Sequence, residues 1–119
     1  MGYEVRRTLS CDNDLESIFA YLSETYLELG DTPQQALDKA AQRVATIEDA
    51  MDALGRAPHQ GTRWPNHAHN LRWVTKYRAI LYFTVSEKMR QIVILAVFFG
   101  GQDHKSRILP RILGDPAPD

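Results

Sequence analysis

The chain has 119 residues, 44% of them apolar and 24% charged, with a formal net charge of -1, which is the composition of an ordinary globular protein with room for one core. No apolar run approaches the about 20 residues of a membrane helix, and the opening MGYEVRRTLS lacks an apolar signal core, so a cytoplasmic protein with no membrane partner is expected. A single cysteine, Cys11, excludes an internal disulfide and the cysteine-rich zinc modules.

Taken in order, Tyr3 to Leu9 places Tyr3, Val5 and Leu9 on one side and Glu4, Arg6 and Thr8 on the other. That alternation predicts a half-exposed edge strand, with Arg7 as its exception. Leu15, Ile18, Phe19, Leu22, Tyr26 and Leu29 then recur at helical spacing behind an acidic first turn, with Gly30 as the stop. Thr32-Pro33-Gln34-Gln35 carries a capping box with proline at the first helical position. Leu37, Ala40, Val44, Ile47, Met51 and Leu54 form the stripe of a second helix, closed by Gly55. So short a link makes the two helices antiparallel, and the stripes are core rather than a cofactor box.

Ala57 to Asn70 breaks the periodicity with two prolines and a glycine, predicting a long ordered loop. Within it His67-x-His69 would share a face if extended, but no third ligand accompanies the pair, so no metal site is expected. Leu71 to Asp103 reads as three short strands, with Tyr77–Val85 and Ile92–Phe99 as apolar runs and Ser86–Arg90 as the turn between them. Gln102 to Leu113 predicts a partly helical tail limited by Pro110. The expectation is one α+β domain over residues 1–114, with 115–119 frayed: a strand, a helical hairpin, a three-stranded antiparallel meander and a short tail helix. The sheet face opposite the hairpin is expected to be concave or open, lined by Arg72 and Arg78.

Charge divides along the chain. From Met1 to Gly55 four basic residues stand against eleven carboxylates, a net of -7, whereas from Arg56 to Arg107 nine stand against two, a net of +7. Such asymmetry suggests a polyanion or an acidic protein segment as partner of the basic half, against the plainer reading of two solvated faces. Arg63, Arg72, Lys76, Arg78, Lys105 and Arg107 are the candidate cations, and His104 is the candidate base near the sheet exit. No nucleophile elbow or phosphate loop occurs; Gly100-Gly101 follows a strand with no lysine–serine pair behind it.

The element order, together with Pro58-His-Gln-Gly61-Thr-Arg63, Leu71-Arg72, Tyr77-Arg78-Ala-Ile-Leu-Tyr82 and Leu95 to Asp103, resembles the RelE/ParE toxins of bacterial type II toxin–antitoxin systems over about residues 3 to 113. The resemblance implies a small growth-inhibiting, plasmid-stabilising toxin that needs no cofactor. A cognate antitoxin silences it, and whether it pairs with itself or only with that antitoxin stays open. In the RelE-like branch, which cuts messenger RNA on the ribosome, Arg78 matches a strand arginine and Arg72 falls near a strand lysine. Gln102 and Ile108 stand where that branch has an arginine and a tyrosine, and His104 is the remaining stand-in. The departures favour the ParE-like branch, whose members inhibit DNA gyrase without catalysis. In that reading Arg63, Arg72, Lys76, Arg78, Gln102, Lys105 and Arg107 are target- or partner-binding candidates. The alternatives are the nuclease, with Arg72, Arg78 and His104 as its chemistry, and an inactive relative that only binds its partner.

Overall fold

The computed structural model describes residues 2–100 and 104–112, His67 by its backbone alone. Strand β1 (Glu4–Arg7) leads into helices α1 (Leu9–Glu28) and α2 (Pro33–Ala53), followed by a 3-10 turn at Leu54–Arg56. A two-residue strand β2 (Thr62–Arg63) and a 3-10 turn at Pro65–Asn70 precede β3 (Leu71–Lys76), β4 (Ala79–Ser86), β5 (Gln91–Phe99) and helix α3 (His104–Ile112). The five strands form one sheet in the order β1-β5-β4-β3-β2; β1 runs parallel to β5 and the other pairings are antiparallel. The α+β reading therefore holds.

Thr8 ends β1 and starts α1. Its hydroxyl accepts from the Cys11 amide at 3.1 Å, so the helix begins at Leu9 rather than after it. Leu9, expected on the apolar side of the strand, is instead 74% exposed in the first helical turn. Gly30, at φ 105°, closes α1. The capping box at α2 forms as read: Thr32 Oγ1 accepts from the Gln35 amide at 3.2 Å, and Gln35 Oε1 accepts from the Thr32 amide at 2.9 Å. Along α2 the small Ala36 and Ala40 are buried, while Leu37 is 45% exposed. The stripe thus begins one residue earlier than its leucine suggested, where small side chains bring the helices close.

The hairpin packs on one face of the sheet. Cys11, Leu15, Ile18, Leu22, Ile47 and Met51 meet Ala79, Leu81, Phe83 and Val85 of β4 and Ile92, Ile94 and Val97 of β5. β5 keeps that face through a bulge. Its pairing passes from Phe83–Ile94 to Tyr82–Ala96, so Leu95 is the extra residue and Val97 returns to the side of Ile92 and Ile94. β1 docks closely beside the hairpin: a Cβ added at Gly55 would lie 2.5 Å from the Tyr3 carbonyl oxygen, and the Tyr3 amide donates to Gly55 O at 2.8 Å.

The opposite face is not open. α3 covers it, with Ile108 fully buried against Leu71, Ile80, Tyr82, Ala96 and Phe98. Pro110 does not prevent this; it lies in the last turn of the helix, which ends two residues beyond it at Ile112. The strand expected from Tyr77 also starts later. Tyr77 and Arg78 both have positive φ, 52° and 67°, and form the two-residue turn between β3 and β4. His69, at φ 59°, lies in the 3-10 turn rather than on a strand, so the reading of two histidines sharing a strand face is not met. Residues 115–119 fall outside the described residues.

Burial pushes the Cys11 thiol up to about 12, with the nearby Asp14 charge adding to the effect. Native protein at pH 8 is therefore expected to resist alkylation, with the thiol reacting at least about 100-fold faster in denaturant. Rapid labelling of folded protein would contradict the packing described. Ile47→Ala is expected to cost about 2–5 kcal/mol in chemical denaturation.

Candidate functional site

The candidate cations fall into separate settings. Arg72 lies opposite Phe83 in the β3–β4 register, and Phe83 belongs to the core under the helical hairpin. Arg72 is therefore on the hairpin side of the sheet. Its guanidinium donates to the His59 carbonyl at 2.9 Å, tying the loop before β2 to the sheet. Burial, then the charge of its cross-strand neighbour Arg63, lowers its pKa from the ordinary arginine value. Lys76, four pairs further along β3, shares that side at the end of the strand.

His104 occupies the other face. At the start of α3 its Nδ1 lies 2.6 Å from the Tyr82 hydroxyl, and its ring stands among Trp73, Tyr82 and Phe98 at centroid distances of 5.1, 5.6 and 6.5 Å. The sheet does not bring Arg72 and His104 together. Arg78 is apart from both, exposed in its turn. Gln102 lies outside the described residues.

Two cavities gather the other cations. One, of about 450 Å³, is walled by Trp64, Pro65, Trp73 and Leu109, with Arg63 and Lys105 lining it; Lys105 Nζ sits 5.4 Å from the centre of the Trp73 ring. The larger, of about 600 Å³, lies between α1, the end of β5, the Tyr77–Arg78 turn and α3. Arg78 and Arg107 both line it, over Ile18, Val97 and Phe98.

That larger cavity is bounded by an ion pair that the sequence reading passed over. Arg111 of α3 grips Asp14 of α1 through two bonds of 2.7 Å and also donates to the Leu95 carbonyl at 3.1 Å. Asp14 Oδ2 accepts from the Val97 amide at 2.9 Å, and the Thr8 hydroxyl donates to the same Leu95 carbonyl at 3.2 Å. β1 pairs with β5 only as far as Ile94, so beyond it these side chains satisfy the strand's outer edge. The Asp14 bond raises the Arg111 guanidinium above its ordinary range. The signal for Asp14 was legible: it follows Cys11 by three residues and precedes Ile18 by four, a carboxylate on the buried stripe. Arg111 had no comparable signal.

A second polar cluster fastens the β4–β5 turn. Glu87 accepts from Tyr3 Oη at 2.8 Å and pairs with His59 Nε2, and these bonds, that to His59 first, hold its carboxyl below the usual range. Among the described residues no three histidine, cysteine or acidic side chains come together as a metal site. What the surface offers is fixed positive charge beside apolar cavities, suited to holding an anionic partner.

No family model and no curated protein matches the sequence. Solved structures do. The chain is similar to one from the chromosomal ParDE TA system of P. aeruginosa, with a TM-score of 0.59 and 21% identity over 82% of this chain and 96% of that one. It is also similar to one from the RelBE2 toxin–antitoxin complex of Mycobacterium tuberculosis, with a TM-score of 0.55 and 17% identity over 86% of this chain and 95% of that one. The resemblance read from the sequence is met at the level of fold.

Asp14→Asn and Arg111→Met are each expected to lower stability by about 2 kcal/mol, since each leaves a partly buried polar partner unmatched. The double variant should cost less than the two single losses added together, giving a coupling energy of about 1–3 kcal/mol in a double-mutant cycle. Additive losses would show that the pair does not act as a unit.

Proposed function

We propose that the chain is the toxin of a type II toxin–antitoxin pair: a cytoplasmic, ParE-like inhibitor of DNA gyrase that stops growth until a cognate antitoxin binds it. The shared fold supports the toxin assignment. The placement of Arg72 and His104 on opposite faces of the sheet supports the gyrase branch over RNA cleavage. Cutting RNA requires a base for the 2′-hydroxyl and cations for the phosphate within one reach of the scissile bond. Here Arg72 is spent on the His59 carbonyl, and the His104 Nδ1 meets the Tyr82 hydroxyl.

In this reading the protein performs no chemistry of its own. Its rigid sheet and hairpin present charge to the target, and the antitoxin covers that charge. Expression without the antitoxin is expected to arrest growth, leave double-strand breaks and induce the DNA-damage response, while primer extension finds no new cuts in translated messages. Arg78→Ala should leave the gyrase effect largely in place. Cleavage at ribosome-bound codons, lost in Arg78→Ala, would instead establish the endoribonuclease. No growth arrest at all would leave an inactive partner-binding relative.

A further inference from the structure

The larger cavity holds an electrostatic imbalance. Among the described residues Asp14 is the carboxylate lining it, and Asp14 is matched by the two-bond grip of Arg111 and by the Val97 amide. Arg78 and Arg107 line the same space, and among the described residues neither guanidinium makes an ion pair or hydrogen bond. They come from different elements, a fixed turn and a helix, and stand over an apolar floor of Ile18, Val97 and Phe98. Two guanidinium forks over apolar ground, without a partner among the described residues, suit a planar anion attached to an apolar body.

We propose that this cavity receives the side-chain carboxylate of an acidic, apolar peptide segment from a partner chain, with Arg78 and Arg107 holding the carboxylate and the apolar floor holding the residues beside it. Only the identity of the partner, the antitoxin, rests on the function proposed above. The apolar floor favours a peptide over a nucleic acid: Ile18, Val97 and Phe98 offer contact to apolar residues beside an isolated carboxylate, whereas a strand with a charge at every unit would set further charges on that apolar ground. The cavity also resolves the charge division of the chain: cations from its basic half border the acidic helix without being neutralised by it.

The test uses the full chain, isotope-labelled, titrated with acetyl-Leu-Glu-Leu-amide, with its glutamine counterpart acetyl-Leu-Gln-Leu-amide, and with a uridine dodecanucleotide. The expected result is saturable shifts at the Arg78 and Arg107 Nε–H groups and at the Val97–Gly100 amides with the glutamate peptide. Binding should be at least about tenfold weaker for the glutamine peptide and for Arg78→Ala or Arg107→Ala. Arg78→Lys, which keeps charge but not the fork, should fall between, and an unchanged thermal midpoint in each variant excludes misfolding. Equal binding of the two peptides, no shift at these residues, or tighter binding of the oligonucleotide would each overturn the proposal. The growth phenotype tests the toxin reading separately: a peptide result without growth arrest, or growth arrest without a peptide result, shows which of the two has failed.

Discussion

The bond between Asp14 and Arg111 ties α1 to α3 across the edge of β5. It lies where β5 bulges at Leu95 and where β1 has ended, so the outer edge of β5 would face α1 with its polar groups unmet. One carboxylate and one guanidinium, with the Thr8 hydroxyl, meet the Leu95 carbonyl and the Val97 amide as a neighbouring strand would. The same pair ties the covering helix to the hairpin, joining layers on opposite faces of the sheet. Removing one member of a charge pair this sheltered is costly, because it leaves the other without its partner. Its role is geometric: it sets where α3 sits, and thereby the shape of the cavity next to it.

That arrangement explains why a sheet rich in cations does not gather them at one point. Alternation along β3 sends Arg72 and Lys76 to the hairpin side and Trp73 to the other, where α3 brings His104 and Lys105 over aromatic rings. Arg78 is thrown to the end of the sheet by its turn. The charges are distributed over a surface, which suits recognition of a macromolecule more than bond breaking at one atom.

Much of the fold was legible because local signals agreed. The capping box of Thr32 and Gln35, the helical stripes and the strand-length apolar runs each rest on chemistry within a few residues. What was not legible depends on distant parts. Whether Tyr77 and Arg78 continue a strand or turn is decided by pairing across the sheet, and neither residue is a usual choice for positive φ. The bulge at Leu95 is invisible in a run apolar on every side. Cover by α3 follows from Ile108 meeting a face formed by residues up to 37 positions earlier, Leu71 among them. Of the site, the candidate cations were legible as residue types, but their sidedness needed the register. Asp14 was visible as a misplaced charge and Arg111 was not visible at all.

The parallel contact of β1 with β5 joins Glu4 to Gln91 and Arg7 to Ile94. No hairpin can form it, and it cannot close until the chain is nearly made. At about 5–20 residues per second, the first strand waits on the order of 5 to 15 seconds on the ribosome for its neighbour. During that interval the helical hairpin can fold, but the sheet has no last strand and α3 has no surface to cover. Birth of the finished shape is therefore late and abrupt, because the strand that completes the sheet and the helix that covers it are both among the last residues made.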